Sequence, residues 1–259
     1  MANLVLVTTT SPAVTITLDS PENRNALSRQ LVADATTAFD HVARQIAEDP
    51  DDVRVVVLTH TAPAFCAGAD LKERSAGAPD SVPFVGLLQR IMDLPVPVIA
   101  AVKGPVRAGG VGLMAACDLA VVRDDVEFAL TEVRLGLAAA VISVPILRRA
   151  GSAQMAAAFL TGERFDAAHA LRVGLVSHVG HGDEGVDGIV GSLSAGVAMG
   201  SPSAVAATKR ILSDVPDLDR DVAFEQMGRL SNELFASEDG AEGMASFAEK
   251  RPPRWQCST

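Results

Sequence analysis

The stretch "PVPVIAAVKGPVRAGGVGLMAACDLAVV", residues 95–122, decides the fold by the order of its residue types. Residues 95–104 form an apolar run of strand length, the pattern of a strand covered on both faces. A glycine-rich loop, "RAGGVG", follows, then an apolar helix-compatible run, then a second strand-like run from Asp118. Strand, loop, helix and strand in that order predict a parallel βαβ unit. Backbone as bare as Gly109–Gly110 lets a ligand approach closely, and a helix N-terminus behind it adds partial positive charge.

Outward from this unit the pattern repeats. "VRVVVLT" is a second buried strand, followed by a second small-residue loop, "HTAPAFCAGAD". "LVLVTTT" and "VTITLDS" predict a hairpin turning at Ser11-Pro12. Ser28 is placed to cap a helix running to about Glu48, with Leu31, Ala35, Ala38, Phe39, Val42 and Ile46 on its apolar face. "VEFALTE" and "LVSHV" are further short strands. The Pro/Gly/Ser-rich segment 75–83 is expected to be a mobile surface stretch. From about residue 144 the patterns are mostly helical. The chain is therefore expected to be α/β, with a core over residues 1–190 and a helical region over 191–259.

Composition narrows the function. The 259 residues are 48% hydrophobic but only 4% aromatic, with no Tyr, so Ala, Val, Leu and Ile must build the core. A net charge of −10 argues against a nucleic-acid surface, which needs a basic field. Three widely spaced cysteines suit a reducing compartment. The start, "MANLVLVTTT", lacks the basic and long apolar regions of a signal peptide, and "GLAAAVISVPIL" is too short to span a bilayer. A cytoplasmic protein without membrane contact is expected.

Both glycine loops follow buried strands, and in open α/β sheets ligands sit beyond the carboxyl ends of strands. Two N–H donors converging from separate loops would make an oxyanion hole, suited to a carbonyl that becomes an enolate. Neither loop fits G-x-G-x-x-G or a P-loop, and no G-x-S-x-G elbow is present. His178, His181 and Asp183 in "HVGHGD" match no closed zinc pattern and are read as a polar loop, so no metal is expected. Cys66 has no His placed to activate it and is read as a packing residue. Arg107 is read either as a contact for a carboxylate or phosphate, or as a solvated cation.

"AFCAGADLKE" and "KGPVRAGGVGLMAACDLAV" together resemble the two signatures of the crotonase, or enoyl-CoA hydratase/isomerase, superfamily. "PENRNALS", "FALTEVRLGL", "LTGERFDAAHALRVGLVSHV", "PSAVAATKRIL" and "SEDGAEGMASFAEKRPPRW" stand in the family's order, so the resemblance covers nearly the whole chain. It implies a ββα spiral core, a C-terminal helical trimerisation region, a homotrimer or dimer of trimers, and acyl-CoA thioesters as substrates without a separate cofactor. Carried onto this sequence, it implies oxyanion donors at Ala67 and Gly109, and Gly110 as a residue that keeps the approach clear. Gly68, Ala69, Asp70 and Leu71 would line the pocket, Arg24 and Ala26 would lie along CoA, and Phe247 and Lys250 would close over it.

Typical hydratases of the family carry two glutamates. The second is matched by Glu132, for which a solvated acid near Arg134 is the plainer alternative. The first falls on Gly112, where extra volume is expected in place of a carboxylate. Glu127 lies on the opposite strand face and is a poor substitute. "GGVGL", "EVRLGL" and "AVIS" resemble the branched or carboxylated subset of 3-methylglutaconyl-CoA and isohexenylglutaconyl-CoA type, from which Ala108 and Ala139 depart. The resemblance implies an enoyl-CoA hydratase with one Glu acid/base. The alternatives are a 3-enoyl to 2-enoyl-CoA isomerase, or a catalytically silent acyl-CoA-binding member.

Overall fold

The computed structural model of the protein describes residues 3–74 and 80–256, the side chain of Arg74 excepted. The expected hairpin is formed by β1 (Val5–Thr10) and β2 (Ala13–Leu18), paired antiparallel with Val5 opposite Leu18. Helix α1 (Arg29–Glu48) follows, and the Ser28 hydroxyl accepts the Leu31 N–H at 3.1 Å as its N-cap. The apolar residues read from its sequence are buried. Next come β3 (Val55–His60), a short α2 (Leu71–Arg74), α3 (Val82–Asp93) and β4 (Val98–Val102). The opening stretch continues as β5 (Val106–Arg107), α4 (Gly109–Ala116) and β6 (Leu119–Arg123). After β7 (Glu127–Ala129), a 3-10 turn at Thr131–Leu135 leads to α5 (Ala140–Arg149) and α6 (Ser152–Thr161). Then β8 (Arg164–Asp166), α7 (Ala167–Arg172) and β9 (His178–Gly180) precede α8 (Gly182–Ala198), α9 (Pro202–Asp214), α10 (Arg220–Phe235) and α11 (Glu238–Glu249).

Among the described residues the strands form a six-stranded sheet, ordered β1-β2-β3-β4-β6-β9, and a three-stranded one, β5-β7-β8. From β2 to β9 the larger sheet is parallel, as the βαβ reading requires. Both its faces are covered. Val56, Leu58, Ala100 and Val122 join the core that holds α1, α3 and α4, while Val55, Val57, Ile99 and Val121 meet Val186 and Val190 of α8. Each fully buried Val or Leu contributes roughly 1.5–3 kcal/mol.

The segment read as mobile, 75–83, lies outside the described residues over 75–79, and its last two residues open α3. Pro83 in the first turn of α3 is tolerated there because that N–H has no helical partner. The three-stranded sheet was not legible, because β5 and β8 are too short to show a period. Position 190/191 lies inside α8, whose Val186, Ile189, Val190, Leu193 and Val197 pack on the sheet.

Helix α9 attaches through a largely buried ion pair. Lys209 on α9 donates to the Asp118 carboxylate at 2.7 Å and to the carbonyls of Ile91 and Val96. Asp118 also accepts the Val98 N–H, so one carboxylate ties α9 to β4. Burial pushes the Asp118 carboxyl up, and the Lys209 ammonium opposes that shift. Helices α10 and α11 leave Phe224, Phe235, Met244 and Phe247 exposed. No single helix among the described residues is long and apolar enough to cross a membrane.

Candidate active site

The two glycine loops leave the carboxyl ends of neighbouring parallel strands, β3 and β4, and are stitched together by backbone. The Arg107 N–H donates to the Cys66 carbonyl at 2.9 Å, and the Phe65 N–H to the Pro105 carbonyl at 3.1 Å. Asn25, in "PENRNALS", fastens the first loop from below. Its Nδ2 donates to the carbonyls of Thr61 (3.1 Å) and Ala64 (2.8 Å), while its Oδ1 accepts the Ser20 N–H at 2.7 Å. Asn25 is fully buried, so Asn25→Ala strands the Ser20 N–H and takes one donor from each of the Thr61 and Ala64 carbonyls. The expected result is a loss of about 3 kcal/mol in urea denaturation, with lowered activity in the fraction that stays folded.

On the first loop, the N–H that the resemblance implies as a donor is already bonded. The Ala67 N–H donates to the Arg24 carbonyl at 3.0 Å, so it is taken up inside the fold. The free donor on this loop is the Ala69 N–H. Leu27 bonds around it, accepting from Asp70 and donating to Gly68, and leaves it unbonded among the described residues. On the second loop, the Gly109 N–H opens α4 and likewise has no partner among the described residues. Ala108, just before it, holds φ +48° and ψ −119°, a conformation that favours glycine and costs on the order of 1 kcal/mol or more. Its own N–H is anchored on the Ala129 carbonyl at 2.9 Å. The strain falls on the residue that aims the Gly109 N–H.

The glycines divide by role. Gly68, at φ +90°, leaves room for the other loop, since a Cβ there would lie 2.9 Å from the Ala108 Cβ. Gly110 was expected to clear a ligand's approach. It is buried, and a Cβ there would lie 2.6 Å from the Cys66 Cβ, so its bareness lets the two loops pack. At Gly112 the expected open volume is absent. A Cβ would lie 2.3 Å from Cγ2 and 2.5 Å from Cβ of Ile142, which α5 seats directly on α4.

Glu132 occupies the 3-10 turn three residues past Ala129, whose carbonyl anchors Ala108. Its Oε2 is buried without a hydrogen-bond partner among the described residues, and burial pushes its carboxyl above the usual range. The plainer alternative fails: Arg134 turns to the Thr161 carbonyl at 2.9 Å. Glu127 is bound by Arg107 at 3.4 Å and Arg164 at 3.1 Å, which leaves Glu132 the unpaired acid of the two. Burial raises the Cys66 thiol to about 12, so it holds no thiolate.

The other expected site residues are placed as follows. Arg24 is exposed with φ +60°, and Ala26 is buried with its N–H on Asn23. The Asp70 carboxylate caps α2, accepting the N–H groups of Lys72 and Glu73, while Leu71 is exposed. Phe247, 87% exposed, and Lys250 lie at the end of α11, which packs on α10. His181 pairs with Asp124 and Asp183 with Arg123, so the polar loop forms no metal cluster among the described residues. Sequence reasoning missed Asn25 and Ile142, which "PENRNALS" and "AVIS" held in plain view.

Residues 9–258 match the family model described as enoyl-CoA hydratase/isomerase. A putative enoyl-CoA hydratase of Thermus thermophilus is 34% identical over 246 residues, covering 92% of this chain and 95% of its own. The crystal structure of an enoyl-CoA hydratase from Mycobacterium smegmatis superposes with a TM-score of 0.89 at 32% identity, covering 97% of this chain and 98% of the other. Pseudomonas aeruginosa AtuE superposes with a TM-score of 0.88 at 31% identity, covering 98% and 99%. A family model matched over nearly the whole chain and relatives above 30% identity along nearly their full length leave no other assignment: the chain belongs to the enoyl-CoA hydratase/isomerase family.

Proposed function

We propose that the protein hydrates a 2-enoyl-CoA thioester, with Glu132 as its one acid/base. The observation that carries this reading is the Glu132 Oε2, buried without a hydrogen-bond partner among the described residues, three residues past the Ala129 carbonyl that anchors Ala108 beside the Gly109 donor. The Ala69 and Gly109 N–H groups hold the thioester oxygen, which polarises the double bond and takes up enolate charge. Glu132 removes a proton from the attacking water as its oxygen bonds to C3, then returns that proton to C2. The side chains against these glycines, Leu27, Phe84 and Ile142, are apolar. Arg107 and Arg134 are engaged elsewhere, which favours a hydrocarbon acyl group over a carboxylated one. The exposed apolar side chains of α10 and α11 support a homotrimer or a dimer of trimers.

One observation favours a second reading. Ile142 fills the place of a second acid, and a single carboxylate suffices to move a proton between C4 and C2 of a 3-enoyl-CoA. Crotonyl-CoA, 3-methylglutaconyl-CoA and 3-hexenoyl-CoA separate the cases. Loss of the enoyl chromophore, faster with crotonyl-CoA, supports hydration of hydrocarbon chains. A conjugated product from 3-hexenoyl-CoA without water addition supports isomerisation. Tight binding with no product from any of the three overturns both.

A further inference from the structure

His60 ends β3 where the first glycine loop begins, and Lys103 follows β4 where the second begins. The imidazole joins the two points. Its Nε2 lies 2.9 Å from the Lys103 backbone N, and its Nδ1 lies 3.0 Å from the Thr61 carbonyl. A backbone N–H can only donate and a carbonyl can only accept, so the partners fix the ring as neutral with its proton on Nδ1. Phe65 of the first loop packs edge-on against the ring at 5.5 Å. Gly104 of the second loop faces its Cε1, with an ideal Cβ 3.2 Å away.

We propose that neutral His60 is a positioning residue that sets the spacing of the two glycine loops, and that protonating it releases them and slows turnover. A second proton would go to Nε2, where it meets the Lys103 N–H instead of accepting from it. The bond between the loop origins is then lost, and with it the alignment of the Ala69 and Gly109 donors. The inference rests on the proposed role of those donors. Burial lowers the imidazole pKa and the Lys103 and Arg123 charges add to that, against the hydrogen bonds to the backbone of Thr61 and Ala64. Both cations are neutralised from α8, Lys103 by Asp187 and Arg123 by Asp183, with Asp125 also on Arg123. The ring is therefore neutral near pH 7, and the release belongs to the acid side of its ordinary range of about 6.5.

The test compares the full chain with His60→Phe and His60→Gln, measuring kcat and KM for crotonyl-CoA from pH 5 to 8. His60→Phe keeps the ring packing but offers Lys103 no acceptor. Its kcat is expected to fall tenfold to about a hundredfold near pH 7, with KM within about threefold, and the gap to wild type is expected to narrow toward pH 5, where protonated His60 has lost the same bond. His60→Gln offers a neutral carbonyl acceptor, so it restores kcat near pH 7 and removes the His60 component of the acid limb. Wild-type kcat in His60→Phe, even with a lower Tm, overturns the proposal, as does equal loss in Phe and Gln. Two-bond proton–nitrogen NMR of the wild type keeps the test independent of turnover and of variant folding. It is expected to find the Nδ1–H tautomer with a midpoint below about 6.5, and the other tautomer or a higher midpoint overturns the proposal. Absence of turnover in every protein would sink the functional reading alone and leave the NMR result to decide this one.

Discussion

Glu132→Gln is expected to lower kcat by about 10²–10⁴-fold while leaving KM within a few-fold. The amide keeps the shape of the carboxyl but neither takes a proton from water nor returns one to carbon. The proposed oxyanion donors are backbone groups on other elements, so the substitution is expected to leave binding of the thioester unchanged. Because burial raises the Glu132 carboxyl, the acid limb of wild-type kcat lies above the ordinary carboxylate value of about 4.3. Stopped-flow loss of the enoyl chromophore in both proteins across pH checks the magnitude. Variant turnover within a few-fold of wild type would remove Glu132 from the chemistry.

The same substitution has an effect on stability whose sign can be worked out. A carboxyl whose folded pKa is raised binds more protons folded than unfolded, so its contribution falls as pH rises through the unfolded and then the folded value. At neutral pH the wild type therefore holds a partly desolvated charge, with Oε2 buried and without a partner among the described residues, that Glu132→Gln removes. The variant is expected to melt higher than wild type at pH 7, and the gap to close below about pH 4. A catalytic acid held ready at the expense of stability gives this pattern; a carboxylate that helps hold the fold gives the opposite one.

Much of the fold was legible because its signals are local and repeated. The apolar runs of β3 and β4 mark strands covered on both faces, and Ser28 with the spacing of Leu31 to Ile46 marks α1. The glycine loops were legible as loops, but which N–H stays free depends on long-range partners. Arg24 and Ala67 are far apart in sequence, and only the folded chain brings the carbonyl of one to the N–H of the other. Leu27 likewise selects Ala69 by bonding its two neighbours. Ile142 escaped notice for a similar reason, because a missing side chain reads as space until the element above it is placed. His60 read as the first residue of the loop "HTAPAFCAGAD"; its place at the end of β3, against the Lys103 N–H, needs the register of β3 on β4.

Gly112→Ala tests that placement directly. In a helix exposed to solvent, replacing Gly by Ala stabilises by about 1 kcal/mol. Here the new Cβ meets Ile142 at 2.3 Å and 2.5 Å, and its Cα at 3.2 Å, so α5 has to shift along with a side chain. Overpacking of this kind costs about 1–3 kcal/mol, enough to reverse the sign of the helix preference. Urea denaturation is therefore expected to find Gly112→Ala less stable than wild type. Ile142→Gly removes both the Cγ2 and the Cβ that stand in the way. In that background the cost of Gly112→Ala is expected to shrink by at least about 1 kcal/mol, the coupling of residues in direct contact. Gly112→Glu alone should lose stability without gaining hydration, since its carboxylate has no room beneath Ile142. Stabilisation by Gly112→Ala, or no coupling to Ile142→Gly, would mean that the space over Gly112 is open and that the single-acid chemistry reflects a missing side chain alone, with no part played by how α5 packs on α4.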